Sequence, residues 1–207
     1  MIWRAWAAGD MRTFSAIKLT PARRQRHGTV WTDSELLALD RDGRKHELWF
    51  GKVVTMAPAG FDHGDVNTVL SHALADVVYE KKLGRVYDGQ TGYRLSVDIC
   101  YAPDVSFVSR ERFKLITLSK EKLFHGSPDL AVEVLSPSDS ITKTEIKVEN
   151  YLAHGTRLVW MVDMRNRSVR VYRPGEPFEL LRGNRVLTGN SVVPGFRLSL
   201  ARLFEGL

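Results

Sequence analysis

Cysteine is almost missing from this chain. Cys100 is the single one in 207 residues, so within them neither an intramolecular disulfide nor a cysteine-based zinc cluster can form. It lies in an apolar stretch and is expected to pack there as a small hydrophobe. Long hydrophobic runs are missing too: no stretch approaches the roughly 18 uninterrupted apolar residues of a membrane span. The first residues, interrupted by Arg4, Asp10 and Arg12, lack the apolar centre of a signal peptide, which predicts a cytoplasmic protein without a membrane partner. Internal repeats and low-complexity segments are absent, which excludes solenoid and repeat architectures. A charge excess is missing from most of the chain. The net charge is +6 and the pI about 9.5, but residues 1–30 hold six Lys or Arg and one acid, leaving 24 basic and 23 acidic residues in the remainder. The basicity therefore marks an N-terminal arm, read either as a phosphate-contacting segment or as an extension without function, with Met11 as an alternative start. It argues only weakly for a nucleic-acid-binding body.

What is present is enough apolar material for one good core: 43% of the residues are hydrophobic, which suits one domain at this length. We expect a basic extension over 1–30 and one domain over 31–207. A short helix over 32–39 with Thr32 or Asp33 as N-cap comes first. A hairpin follows, Leu48–Phe50 and Val53–Met56, turning at Gly51-Lys52. Apolar residues then recur at 66, 69, 70, 73, 74, 77 and 78, which predicts a helix after Asp65 with Gly84 as C-cap. Short β-type runs at Val86-Tyr87, Tyr93–Leu95 and Val105–Val108 read as adjacent strands. Residues 109–127 form a polar connection with a helical turn. Leu130–Leu135 is nearly all apolar, as a buried central strand is. Ser136-Pro137-Ser138 breaks it, and Thr142 with Glu145 has the spacing of a capping box opening a helix that stops before Gly155. Leu158–Val162 is another buried strand, Val169–Tyr172 pairs back on it after an Asn166-Arg167 turn, and the rest is hairpin-like up to a short C-terminal helix. The order predicts an α/β fold with a mixed central sheet flanked by helices.

Glu133 starts the functional argument, because a carboxylate inside an apolar strand is costly unless it is compensated. By alternation it shares a face with Ala131 and Leu135, while Leu130, Val132 and Val134 point the other way. Either it forms a buried salt bridge, with Arg94 or Arg157 as the candidates, or it belongs to a site. Asp104 opens another β-type run after Pro103, and strands lie only about 4.8 Å apart, so Asp104 can converge with Glu133. Asp129 has the same look after Pro128, but it is four residues from Glu133 on one strand, about 13 Å by strand rise, too far to share an ion. Two carboxylates without His or Cys ligands suit Mg²⁺ or Mn²⁺, which take oxygen ligands and keep several waters.

These pieces occur in a particular order: Glu47-Leu48, Met56-Ala57-Pro58-Ala59-Gly60, His63-Gly64, Thr91-Gly92-Tyr93-Arg94-Leu95, Ala102-Pro103-Asp104-Val105, Pro128 to Val134, Ser136 to Asp139, Lys147 with Tyr151, and Leu158 to Asp163. In that order, from about Trp31 to Leu207, the chain resembles the Uma-type (Uma-two) family of restriction-endonuclease-like proteins, within the PD-(D/E)XK nuclease superfamily. The resemblance implies a restriction-endonuclease-like fold, with Asp104 as the motif aspartate and Glu133 as the motif acid. The lysine expected two residues after Glu133 is replaced by Leu135, and the resemblance points to Lys147 on the next helix instead. Spacing alone reads Lys147 as a solvated helix lysine like Lys143. Glu47 resembles an acid that assists metal binding, against its plain reading as an exposed acid near a strand start. His63, Gln90 and Arg94 can touch a phosphate or a metal-bound water, although His63 also reads as a loop residue and Arg94 as ordinary strand surface. The implied activity is Mg²⁺- or Mn²⁺-dependent endonucleolytic hydrolysis of DNA leaving a 5′-phosphate. The alternative is a catalytically inactive module of the same fold that binds nucleic acid or protein, and a homodimer is compatible with either.

Overall fold

The structure is a computed structural model that describes residues 30–39, 44–115, 123–136 and 139–207. The expected N-terminal arm and the Pro137-Ser138 part of the break after the central strand lie outside those residues. Helix α1 (Asp33–Leu39) is followed by β1 (His46–Trp49) and β2 (Lys52–Thr55), then by the long helix α2 (Phe61–Glu80). Next come β3 (Gly84–Asp88), β4 (Tyr93–Ser96), β5 (Ile99–Tyr101), β6 (Val105–Ser109), α3 (Arg110–Leu115) and β7 (Phe124–His125). The last part holds β8 (Leu130–Leu135), α4 (Ile141–Ala153), β9 (Leu158–Asp163), β10 (Ser168–Tyr172), β11 (Glu179–Arg182), β12 (Val186–Thr188), β13 (Arg197–Ser199) and α5 (Leu200–Leu203).

The expected α/β class holds, but the strands divide into more than one sheet. A six-stranded sheet runs β11-β10-β9-β8-β6-β3, a five-stranded one runs β2-β1-β5-β4-β7, and β12-β13 form a separate ribbon. The six-stranded sheet is mixed because β8 and β9, joined through α4, run parallel while its other pairs are antiparallel. The β-type runs expected side by side are split: β3 and β6 pair, whereas β4 belongs to the other sheet.

Alternation along β8 assigns its two faces as the pattern demands. Leu130, Val132 and Val134 join the large core with Val66, Leu70, Leu74 and Val78 of α2, while Ala131 and Leu135 join a second cluster with Val148 and Tyr151 of α4. Glu133 lies on that second face, under α4. Thr32 caps α1 as a capping box: its hydroxyl accepts from Glu35 N at 3.3 Å and its own N–H donates to Glu35 Oε2 at 2.8 Å. Three boundaries differ from expectation. Helix α2 begins at Phe61, one turn before Asp65, which places His63 on its buried face. Its end is turned by Lys82 with φ of +53°, while Gly84 opens β3, where a Cβ would stand 2.0 Å from Val108 O. Helix α4 starts at Ile141, with Ser140 as an N-cap that makes no side-chain cap bond, so no capping box forms at Thr142. Glu145 instead accepts from Arg170 of β10 at 2.8 Å, a tertiary ion pair.

Asp129, set aside above on distance, has a structural task. Its carboxylate accepts from Ser109 N at 2.7 Å and Arg112 Nε at 3.0 Å and pairs with Arg157 at 2.9 Å, all while 2% exposed. Asp129→Ala should therefore cost about 1–3 kcal/mol, because it leaves the buried Ser109 N–H without an acceptor and releases two partly exposed arginines. Urea unfolding measures that loss, and Mn²⁺ affinity of the folded variant should match the parent.

Candidate active site

The chain crosses from one sheet to the other at Ala102-Pro103-Asp104, between β5 and β6, and the candidate residues collect at that seam. The register Val105↔Val132 and Ser106↔Ala131, continued by one position, sets Asp104 opposite Glu133. Asp104 Oδ2 accepts from Val134 N at 2.8 Å and contacts His63 Nε2 at 3.3 Å. His63 is steadied in turn by Asn67, whose Nδ2 lies 3.1 Å from Nδ1 one helical turn further along α2. That contact suits an imidazole with its proton on Nε2, donated to Asp104.

Across the seam, β1 contributes Glu47, which is 1% exposed. Its Oε1 accepts from Ala102 N at 2.9 Å and its Oε2 from Trp49 Nε1 at 2.9 Å. Helix α4 then lowers Lys147 between the two acids. The ammonium donates to Glu133 Oε2 at 2.7 Å and to Glu47 Oε1 at 2.9 Å and lies 5.5 Å from the centre of the Tyr101 ring. Tyr151, one turn on, donates its hydroxyl to Glu133 Oε1 at 2.8 Å. So Lys147 is no solvated helix lysine. It belongs to the buried stripe Thr144, Lys147, Val148, Tyr151, whose i, i+3, i+4, i+7 spacing is one helix face.

The charges constrain one another. Burial would lower the Lys147 pKa, but the carboxylates of Glu133, Glu47 and Asp104 outweigh it and hold the ammonium protonated, above its ordinary value. Burial pushes Glu133 up to about 7, with Lys147 opposing and Asp104 and Glu47 adding to the rise. For Asp104 burial is again the largest influence, yet the His63 hydrogen bond and Lys45 carry the net shift downward. Burial is likewise offset at Glu47 by Lys147, Lys45 and the Ala102 N–H, so that acid is held below its usual range. Three carboxylates face two lysines here, an arrangement with room for a cation. Among the described residues no group of three His, Cys, Asp or Glu side chains is arranged to hold a metal ion. A hard ion would thus have few protein ligands and complete its shell with water and substrate oxygens, which is how Mg²⁺ is commonly held.

A cleft of about 650 Å³ opens over this group, lined among others by Lys45, His63, Gln90, Asp104, Glu133 and Lys147. Gln90 is thus at the cleft wall, its backbone N–H held by Asp88 Oδ1 at 3.1 Å. Arg94 is elsewhere. Its Nε pairs with Asp33 of α1 and its Nη2 donates to Trp31 O at 3.1 Å, which ties α1 to β4, so neither a phosphate contact nor a salt bridge to Glu133 falls to it. Arg157 is likewise engaged with Asp129. Sequence reasoning passed over Tyr151 as a site residue, though the helical stripe contains it. It also passed over Asn67 and Lys45, for which no spacing gave a signal.

A profile of the Uma2 family, described as "Putative restriction endonuclease", matches residues 31–201. The chain belongs to that family. A comparison with curated proteins found no match. Among solved structures, the fold is similar to a crystal structure described as "a putative nuclease belonging to DUF820" from Anabaena variabilis, with a TM-score of 0.70 at 24% identity, covering 83% of this chain and 96% of that one. At that identity the likeness speaks for the fold. The Uma2 match begins just before α1 and ends inside α5, so it contains every residue of the seam. Among the described residues no helix is long and apolar enough to cross a membrane.

Proposed function

We propose that this Uma2 chain is an endonuclease that uses Mg²⁺ or Mn²⁺ to hydrolyse phosphodiester bonds in DNA. The observation that carries the reading is the seam: Glu47 and Glu133, from strands of two sheets, share Lys147, and Asp104 at the crossing between the sheets stands beside Glu133 at the floor of an open cleft. A structural salt bridge needs no cleft above it and gains nothing from a third acid. Asp104 and Glu133 would hold the ion, which supplies a water of lowered pKa and polarises the phosphoryl oxygens when bound.

The protein's own groups divide the remaining work. Lys147, protonated and 4% exposed, does not accept the proton of the attacking water. Two of its N–H groups are taken by Glu133 and Glu47, and the third is left to orient a water or meet charge developing on phosphorus. Glu47 holds that ammonium in place, and Tyr151 fixes the rotamer of Glu133. Asn67 and His63 do the same for Asp104.

Supercoiled plasmid tests the reading. With Mg²⁺ or Mn²⁺ it should become nicked and then linear, with ends that a ligase reseals because they carry 5′-phosphates. With EDTA it should stay supercoiled. Conversion that persists in EDTA would remove the ion from the mechanism. Intact plasmid under every condition, with Mn²⁺ bound, would favour the non-catalytic binding module.

A further inference from the structure

Lys147 is 4% exposed and gives two of its N–H groups to Glu133 and Glu47, which leaves room for a second cation at the nucleic-acid backbone. Lys45 has the placement. It immediately precedes β1, and its carbonyl accepts from Met56 N at 2.9 Å, which pins its backbone at the base of the β1–β2 hairpin. Its side chain is 18% exposed and lines the cleft. The ammonium lies 3.8 Å from Asp104 Oδ1, too long for a hydrogen bond, and among the described residues it makes no other polar contact. Oδ1 is also the Asp104 oxygen left over, since Oδ2 is taken by Val134 N and His63.

The Lys45 ammonium stands at the cleft, paired with Asp104 yet with no hydrogen-bond acceptor fixed among the described residues, beside the carboxylate that faces the cleft. Its positive charge also opposes a divalent ion on Asp104, so it does not serve ion binding. An anion arriving in the cleft resolves both tensions, because it accepts the N–H donors and offsets the repulsion.

We propose that Lys45 is a catalytic residue of this site whose ammonium binds a non-bridging oxygen of the backbone phosphate seated over Asp104. The inference rests on the nuclease reading above and deepens it. It also makes an unusual demand: removing Lys45 must weaken nucleic-acid binding and strengthen metal binding. A lysine that merely supports Asp104 would not separate the two.

The experiment compares the parent with Lys45→Met, which keeps the stem, and Lys45→Arg, which keeps the charge. Binding of a fluorescein-labelled duplex oligonucleotide is followed by anisotropy in EDTA over a range of salt. Mn²⁺ binding is followed by calorimetry without nucleic acid. For Lys45→Met the slope of log K against log salt should shrink by about 0.9, the value of one phosphate contact, and Lys45→Arg should restore it. Mn²⁺ should bind Lys45→Met several-fold more tightly, since a like charge has gone from beside the ligand. An unchanged slope would overturn the proposal while leaving the nuclease reading standing. Weaker Mn²⁺ binding would also overturn it, by making Lys45 a support for Asp104. No binding of the duplex by the parent protein would overturn the proposal, and plasmid nicking by that protein with Mn²⁺ would leave the nuclease reading standing.

Discussion

Lys147→Met should slow plasmid nicking by about 10² to 10⁴, the usual range for an electrostatic or proton-directing group, while metal binding persists. The ammonium touches both Glu133 and Glu47 and is held protonated by them, so methionine removes charge and donors while keeping most of the stem. The same substitution leaves two buried acids facing each other without a cation. The metal-free variant should therefore lose about 3–5 kcal/mol of stability, the cost of breaking a buried pair from one side. These two effects can be separated. Mn²⁺ should raise the melting temperature of the variant by more than that of the parent, because an added cation offsets the unpaired acids. Activity should stay low at saturating Mn²⁺, since the lysine's donors are still missing. Full activity in a variant refolded by Mn²⁺ would reduce Lys147 to a structural cation.

Asp104→Asn and Glu133→Gln should each bring Mn²⁺ binding below calorimetric detection, for different reasons. Asp104 carries its full charge, being shifted down by His63 and Lys45 against its burial. Asparagine removes that charge and offers one neutral oxygen, a poor ligand for a hard ion. Glu133 is shifted up by burial to about 7, so near neutral pH an ion must displace whatever proton it holds, and glutamine removes the option. Neither position is an apolar contact of the core. Val134 N keeps an acceptor in Asp104→Asn, so that variant should melt within a few degrees of the parent, whereas Glu133→Gln takes one of two carboxylates from the buried Lys147 and should stay folded but melt lower. Unchanged Mn²⁺ affinity in both would mean that the acids serve the fold alone.

How much of this site can be read from the chain differs residue by residue. Glu133 is legible because strand alternation is local: six residues of β8 suffice to show a carboxylate on a face shared with Ala131 and Leu135. Asp104 is legible as an acid at the start of the neighbouring strand. Asp129 looks the same by composition, and only strand rise set it aside. Lys147 is legible by resemblance and invisible by spacing, since Lys143 sits one turn away with the same chemistry. What separates the two is depth: Lys147 is covered under the seam, and Lys143 is exposed. Arg94, read either as a phosphate contact or as ordinary strand surface, finds its partner in Asp33, 61 residues earlier. The capping box at Thr142 failed for a similar reason, with Glu145 drawn away by Arg170.

The sequence by itself determined the main helices and the central strands, though not their ends or the short strands β5 and β7, and that one acid stands on an apolar face, because those properties depend on neighbours within one or two turns of chain. The tertiary structure decided that the strands divide between two main sheets, that the chain crosses between them at Asp104, and which cation each acid receives. Partner choice for a charge is settled by whatever the fold brings within hydrogen-bond reach. For Glu47 that is Lys147, 100 residues away at 2.9 Å, a pairing no local pattern encodes.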